Sequence, residues 1–253
     1  MQEGSKADAK PRGFVMTPQQ RDRWMQVFLA QARGPVRNGD LLRTGMDRAL
    51  HILATRRDKE AQGLMDDALI DALSQVVDAL EELGVVHAIT GSVASSVHGE
   101  PFDSMDADLI VLASMTQMAK VAARLTPRFY APEDMLVDAA ARHTFANVVD
   151  NRTGLKVDLS LLSSDPFLQG VLRRRVRARI GQHPKDFWFV TAEDVILMKL
   201  LWRKDSRSAK QWENALSVAR IKGARMDWKY LLEQARSLGI EDDLVKLRDE
   251  AGI

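Results

Sequence analysis

Two apolar, β-branched runs, Thr144–Asp150 and Leu155–Leu162, are separated only by the turn Asn151-Arg152-Thr153-Gly154. A connection this short joins antiparallel neighbours, because parallel strands need a long crossover. Any sheet containing this pair is therefore not purely parallel, which argues against a doubly wound dinucleotide-binding fold. Other strand signals alternate with helical ones. Val85–Thr90 reads as a short buried strand, Gly91–Gly99 as a small-residue helix and Ala107–Ala113 as a second strand. Helices follow over Met115–Leu125 and Pro132–His143. After Asp165-Pro166, an N-cap followed by a proline at the first helical position, the pattern returns to helix. Arg177–Gly181 and Phe187–Val190 read as edge strands, and 192–203, 208–221, 227–238 and 241–250 as helices.

The N-terminal third carries no strand signal. Residues 1–16 read as a flexible leader and Thr17-Pro18 as a helix start. A further helix is expected over Met46–Arg57. From Asp66 a stripe of Leu69, Leu73, Val76, Leu80 and Leu83 runs up to Gly84 at helical spacing. The expectation is an α+β fold in four parts: leader 1–16, N-terminal helices 17–84, a mixed-sheet core 85–190 and a C-terminal helical region 191–253.

Composition narrows the chemistry. With 36 basic and 35 acidic residues in 253, net charge supplies no global attraction to nucleic acid or membrane. The absence of cysteine removes disulfides, thiolate metal sites and a cysteine nucleophile. Met1–Gly13 lacks the apolar segment of a signal peptide, and no apolar run is long enough to span a bilayer. A cytoplasmic location without membrane partners is the expectation. The five histidines show no zinc-ligand spacing, and Ser95-Ser96 lacks the glycines of a hydrolase elbow.

The chemistry-bearing pattern is Gly91-Ser92 followed by Asp106-Ala107-Asp108. At a strand-to-helix junction, Gly91 lets phosphate oxygens approach the backbone, and Ser92 adds a hydroxyl beside the free N–H groups of the helix start. Residues i and i+2 of a strand share a face, so Asp106 and Asp108 project side by side. Paired carboxylates call for a hard cation between them. Asp158, on the polar face of Leu155–Leu161 with Lys156, is the candidate third carboxylate, provided its strand lies beside 107–113. Three such groups can hold two Mg²⁺ ions roughly 3.5–4 Å apart, a geometry suited to in-line nucleotidyl transfer. Asp158 could also accept the proton of an attacking hydroxyl. Read without this context, the same residues are a tight turn, a solvated strand end and a hairpin's polar face.

The stretch GSVASSVHGEPFDSMDADLIV resembles the signature of the nucleotidyltransferase-fold superfamily, and in particular its small bacterial members. Residues 192–216 (AEDVILMKLLWRKDSRSAKQWENAL) are similar to the helical region of that group and of toxin-type nucleotidyltransferases. The resemblance spans roughly 85–245. It implies that Gly91 and Ser92 hold a triphosphate, that Asp106, Asp108 and Asp158 are catalytic metal ligands, and that Lys199 contacts nucleotide phosphates. The reaction implied is transfer of an NMP from an NTP to a hydroxyl on a small molecule, RNA or protein. Two positions depart from the pattern: Phe102 stands where arginine is usual, and Asn214 where an acid is frequent. These departures supply the alternative, a nucleotide-binding or protein-interaction module with little turnover, such as a toxin–antitoxin component. The basic run Arg173-Arg174-Arg175 with Arg177 and Arg179 reads as a solvated helix end, or as a contact for nucleic-acid phosphates.

Overall fold

A computed structural model describes residues 67–102, 104–162 and 165–253. The expected leader 1–16 and the helices expected between 17 and 57 lie outside the described residues. Helix α1 (Asp67–Glu82) presents the predicted stripe, and Leu69, Leu73, Val76 and Leu80 are fully buried. The chain then alternates through β1 (Val86–Thr90), α2 (Gly91–His98), β2 (Asp106–Leu112) and α3 (Met115–Leu125). Next come β3 (Phe129–Tyr130), α4 (Glu133–Arg142), and the hairpin of β4 (Phe145–Asp150) and β5 (Lys156–Leu161). Helix α5 (Pro166–Arg174) leads to edge strands β6 (Val176–Arg179) and β7 (Asp186–Phe189). The C-terminal helices are α6 (Ala192–Ser206), α7 (Ala209–Lys222), α8 (Trp228–Leu238) and α9 (Glu241–Ala251).

The strands form one seven-stranded mixed sheet in the order β3-β4-β5-β2-β1-β7-β6. The α+β expectation therefore holds. The hairpin is antiparallel, β1–β2 is antiparallel, and β2–β5 and β1–β7 are parallel. Strand β3, two residues pairing with the end of β4, is an addition the periodicity did not signal.

Strand alternation sorts the sheet into two faces. Ala107, Leu109 and Val111 of β2, with Val157, Leu159 and Leu161 of β5, are buried at 3% exposure or less. They cover one face, against which α1 packs through β1, β2 and β5. The opposite face carries Asp106, Asp108 and Ile110, in register with Lys156, Asp158 and Ser160. Helix α6 closes over this face, where the Thr90 hydroxyl donates to the Met198 sulfur at 3.6 Å. Helices α2 and α7 pack against α6 and each other, so the second face is covered at its centre and open where the carboxylates stand.

Candidate active site

The β2–β5 pairing sets the site. In a parallel ladder, residues in register share a face and lie side by side. Asp108 is registered with Asp158, and Asp106 with Lys156. Asp108 and Asp158, 50 positions apart in sequence, thus stand side by side at one strand end, with Asp106 two residues before Asp108. Across the hairpin Asn147 is registered with Asp158, which brings an amide to the same place.

Above this row is the β1–α2 junction. Gly91 has φ +65°, and a Cβ there would lie 1.8 Å from Asp108 Oδ2. Only a residue without a side chain lets the junction descend onto that carboxylate. The helix-capping residue Thr90 makes no side-chain cap hydrogen bond, which leaves the first N–H groups of α2 without that partner. Ser104 steadies Asp106 from the other side: its hydroxyl lies 2.8 Å from the Asp106 carbonyl and 3.3 Å from Asp106 Oδ1.

Ser92, Asp106, Asp108 and Asp158 line one cleft of about 220 Å³ with Lys156, Lys199, Lys210, Gln211 and Trp202. Lys199, nearly wholly buried on α6, faces inward, as an amphipathic surface lysine would not. A neighbouring apolar cavity that shares Trp202 measures about 40 Å³, too small for a nucleotide.

The cleft is electrostatically tense. Enclosure, with Asp106 and Asp158 alongside, pushes the Asp108 carboxyl up to about 7, against the pull of Lys199 and Lys156. Burial also raises Asp158, opposed by Lys156, whose ammonium stands 3.7 Å from Asp158 Oδ2. Burial lowers Lys199 to about 8, resisted chiefly by Asp108. Among the described residues, no three His, Asp or Glu side chains converge tightly enough to form a ready-made metal cage. The donor set nonetheless fits a hard divalent cation. It is all carboxylate oxygen, and Asp158 Oδ1 is buried without a hydrogen-bond partner.

Other expectations resolve case by case. His98 is packed, its Nε2 2.7 Å from the Val190 carbonyl oxygen. Trp212 is a packing residue whose indole N–H donates to Glu250, whereas Trp202 borders the cleft. Phe102 is tied through its backbone N–H to the Ser96 hydroxyl at 3.0 Å. Asn214 is fully buried, with neither amide atom hydrogen-bonded. Asn147 and Lys210 were not anticipated. The hairpin turn contained the signal for Asn147, because it fixes which residue of β4 lies opposite Asp158. Nothing in the local sequence marked Lys210.

No protein-family model matches the chain, and no curated protein matches its sequence. Among solved structures, the chain is similar to the antibiotic-resistance factor ANT(2'')-Ia, at 15% identity and TM-score 0.48, over 68% of this chain and 94% of that one. It is also similar to an antigenic nucleotidyltransferase-like protein from Paracoccidioides brasiliensis, at 15% identity and TM-score 0.42, over 74% of this chain and 94% of that one.

Proposed function

We propose that this chain is a nucleotidyltransferase that moves an NMP from an NTP to a hydroxyl acceptor. The observation carrying the proposal is the register of β2 and β5, which sets Asp108 beside Asp158 with Asp106 two residues away, beneath the Gly91-Ser92 junction.

In this reading the N–H groups following Gly91, with the Ser92 hydroxyl, bind triphosphate oxygens. Lys199 and Lys210 offset the remaining phosphate charge from the α6–α7 side. Asp106, Asp108 and Asp158 would hold Mg²⁺, which supplies Lewis-acid polarisation of the phosphoryl oxygens when bound. Asp158, one oxygen of which lacks a partner, would take the proton of the acceptor hydroxyl. The acceptor oxygen then bonds to the α-phosphorus, and the bond to pyrophosphate breaks. Asn147, opposite Asp158, provides an amide to orient the acceptor or the carboxylate.

The test is thermal stabilisation by each NTP with and without Mg²⁺, in wild type and Asp106→Asn. Metal-dependent stabilisation by an NTP, lost in the variant, is expected. Its absence from the wild type for all four NTPs would sink the proposal. Incubation of the wild type with a stabilising, α-labelled NTP and cell extract then reads out the acceptor class, whether small molecule, RNA or protein.

A further inference from the structure

The arginine run at the end of α5 is not a uniformly free basic surface. Arg174 pairs with Asp194 at 2.7 Å, Arg177 with Glu81 at 3.3 Å and Arg179 with Asp186 at 2.8 Å. Arg175 differs. It has no carboxylate partner among the described residues, and its Nη1 donates to the Leu172 carbonyl at 2.9 Å. Its Nε–H is buried without an acceptor. The guanidinium is stacked 4.5 Å from the Trp188 ring centre, with that of Arg177 at 4.3 Å from the same ring.

These three side chains line a cavity of about 400 Å³ together with Glu81, Val86 and His87. His87 is 2% exposed. Its Nδ1 faces the Val85 carbonyl oxygen at 3.0 Å. A carbonyl only accepts, so Nδ1 carries the proton and Nε2 presents a lone pair. That lone pair is buried and has no partner. Glu81 does not reverse the sign of the pocket. Its Oε2 is held by Lys185 at 2.8 Å, its Oε1 is buried 3.3 Å from Arg177 without a hydrogen bond, and Lys185 also pairs with Asp78. Three cations therefore face two carboxylates, and Arg175 is the surplus.

The cavity thus offers a buried N–H needing an acceptor, two buried acceptors without donors (His87 Nε2 and Glu81 Oε1), and one uncompensated positive charge. A hydrogen phosphate answers the N–H, the charge and the His87 lone pair, because its charged oxygens accept from a guanidinium fork while its P–OH donates. A nucleic-acid backbone does not, because a phosphodiester has no P–OH, and most of the neighbouring arginines are neutralised.

We propose that this pocket binds a phosphate-class anion bearing a P–OH group, either inorganic phosphate or a phosphomonoester. Arg175 and Arg177 hold its charged oxygens, and His87 Nε2 accepts its hydroxyl proton. The site lies at the far end of β1 from Thr90, about 10 Å along the strand. It is independent of the nucleotide reading of the carboxylate cleft.

The experiment follows the Trp188 indole N–H signal, identified by its loss in Trp188→Phe, while metal-free protein is titrated with inorganic phosphate. Parallel titrations use sulfate, glycerol phosphate and a single-stranded oligonucleotide, all at about pH 6, where a phosphomonoester retains its P–OH on roughly half of the molecules. Saturable displacement by phosphate and glycerol phosphate is expected, with sulfate, which lacks a proton to donate, at least about tenfold weaker. Arg175→Gln should weaken phosphate by about tenfold or more, and Arg175→Lys, which keeps the charge without the Nε donor, by an intermediate factor. Failure of millimolar phosphate to move the signal would overturn the proposal, as would equal binding of sulfate and phosphate. So would undiminished binding in Arg175→Gln, or oligonucleotide binding stronger than either phosphate. The phosphate–sulfate comparison needs no variant, so a misfolded substitution leaves the proposal testable.

Discussion

Asp108 is an acid held where ionisation is costly. It sits partly open to the cleft, between Asp106 and Asp158, and its carboxyl is pushed up to about 7. Because the folded-state value lies above the unfolded one, the metal-free fold binds this proton more tightly than the unfolded chain. The resulting stability is present in full below about pH 4 and is lost as pH rises through 7. Asp108→Asn removes the titration. In chelator, the variant should gain roughly 2–4 kcal/mol relative to wild type between pH 4 and pH 8, a range discounted for water in the cleft. Urea denaturation of both proteins at the two pH values measures this, and a pH-independent difference would contradict it. Gly91 makes a sharper prediction. Gly91→Ala sets a methyl group 1.8 Å from Asp108 Oδ2 at φ +65°, so backbone strain of about 1–2 kcal/mol adds to a displaced carboxylate. Nucleotidyl transfer should fall by about a hundredfold or more, read as turnover of labelled NTP at saturating substrate.

At the scale of elements, the hairpin carried most of the legible information. The turn at 151–154 dictated antiparallel pairing, and the alternation in β5 put Asp158 on its polar face. The helical segments were equally readable, since α1, α3 and α6–α9 show apolar spacing or recognisable caps, as at Thr191, whose hydroxyl accepts from the Asp194 N–H. The adjacency of β5 and β2 was open in the sequence, because pairing over 50 residues depends on how the helices between them pack. Strand β3 was unreadable for another reason: two residues are too few to show a period. The placement of α6 depends on a polar anchor that periodicity does not reveal. Asp194, fully buried, accepts from Arg174 at 2.7 Å and from the Tyr230 hydroxyl at 2.7 Å. Burial and the Asp194 charge drive the Tyr230 phenol far above its ordinary range, so it remains a donor. Arg174 also stacks over the Tyr230 ring at 4.2 Å. This joins α5, α6 and α8 one turn and a half from Lys199. Asp194→Ala leaves a partly buried guanidinium without its counter-charge and should cost about 3 kcal/mol in denaturant. It should also weaken NTP binding through the displaced Lys199. If stability falls while NTP affinity is unchanged, α6 is not positioned by this anchor.

Across the whole molecule, the two polar pockets lie at opposite ends of β1, and two buried histidines stand out in the described core. His98 ties α2 to the β7–α6 connection through Val190, and His87 closes the arginine pocket. Burial lowers both below the ordinary histidine range. Backbone acceptors and Glu193 oppose the shift at His98, where Lys222 reinforces it; Glu81 opposes it at His87, where Arg175 and Lys185 reinforce it. The sign is opposite to that of Asp108. The unfolded chain takes up histidine protons from about pH 6.5 downward while the fold refuses them. The contribution is therefore present above pH 6.5 and is lost as pH falls through the folded values. In the metal-free protein the two effects oppose each other below pH 6.5; above about pH 7 neither adds a further slope, and Lys199, lowered to about 8, regains stability as pH rises past that value. On the proposed reading, Mg²⁺ at the carboxylates would favour ionised Asp108 and leave the histidines untouched. Denaturation midpoints across pH 5–9 should show a stabilisation by Mg²⁺ that grows as pH rises toward about 7 and then levels off. His98→Asn should reduce the loss of stability below pH 6.5, which His87 continues to drive, and leave the Mg²⁺ effect intact. A uniform rise with Mg²⁺ at every pH would mean that the metal binds elsewhere than at Asp108.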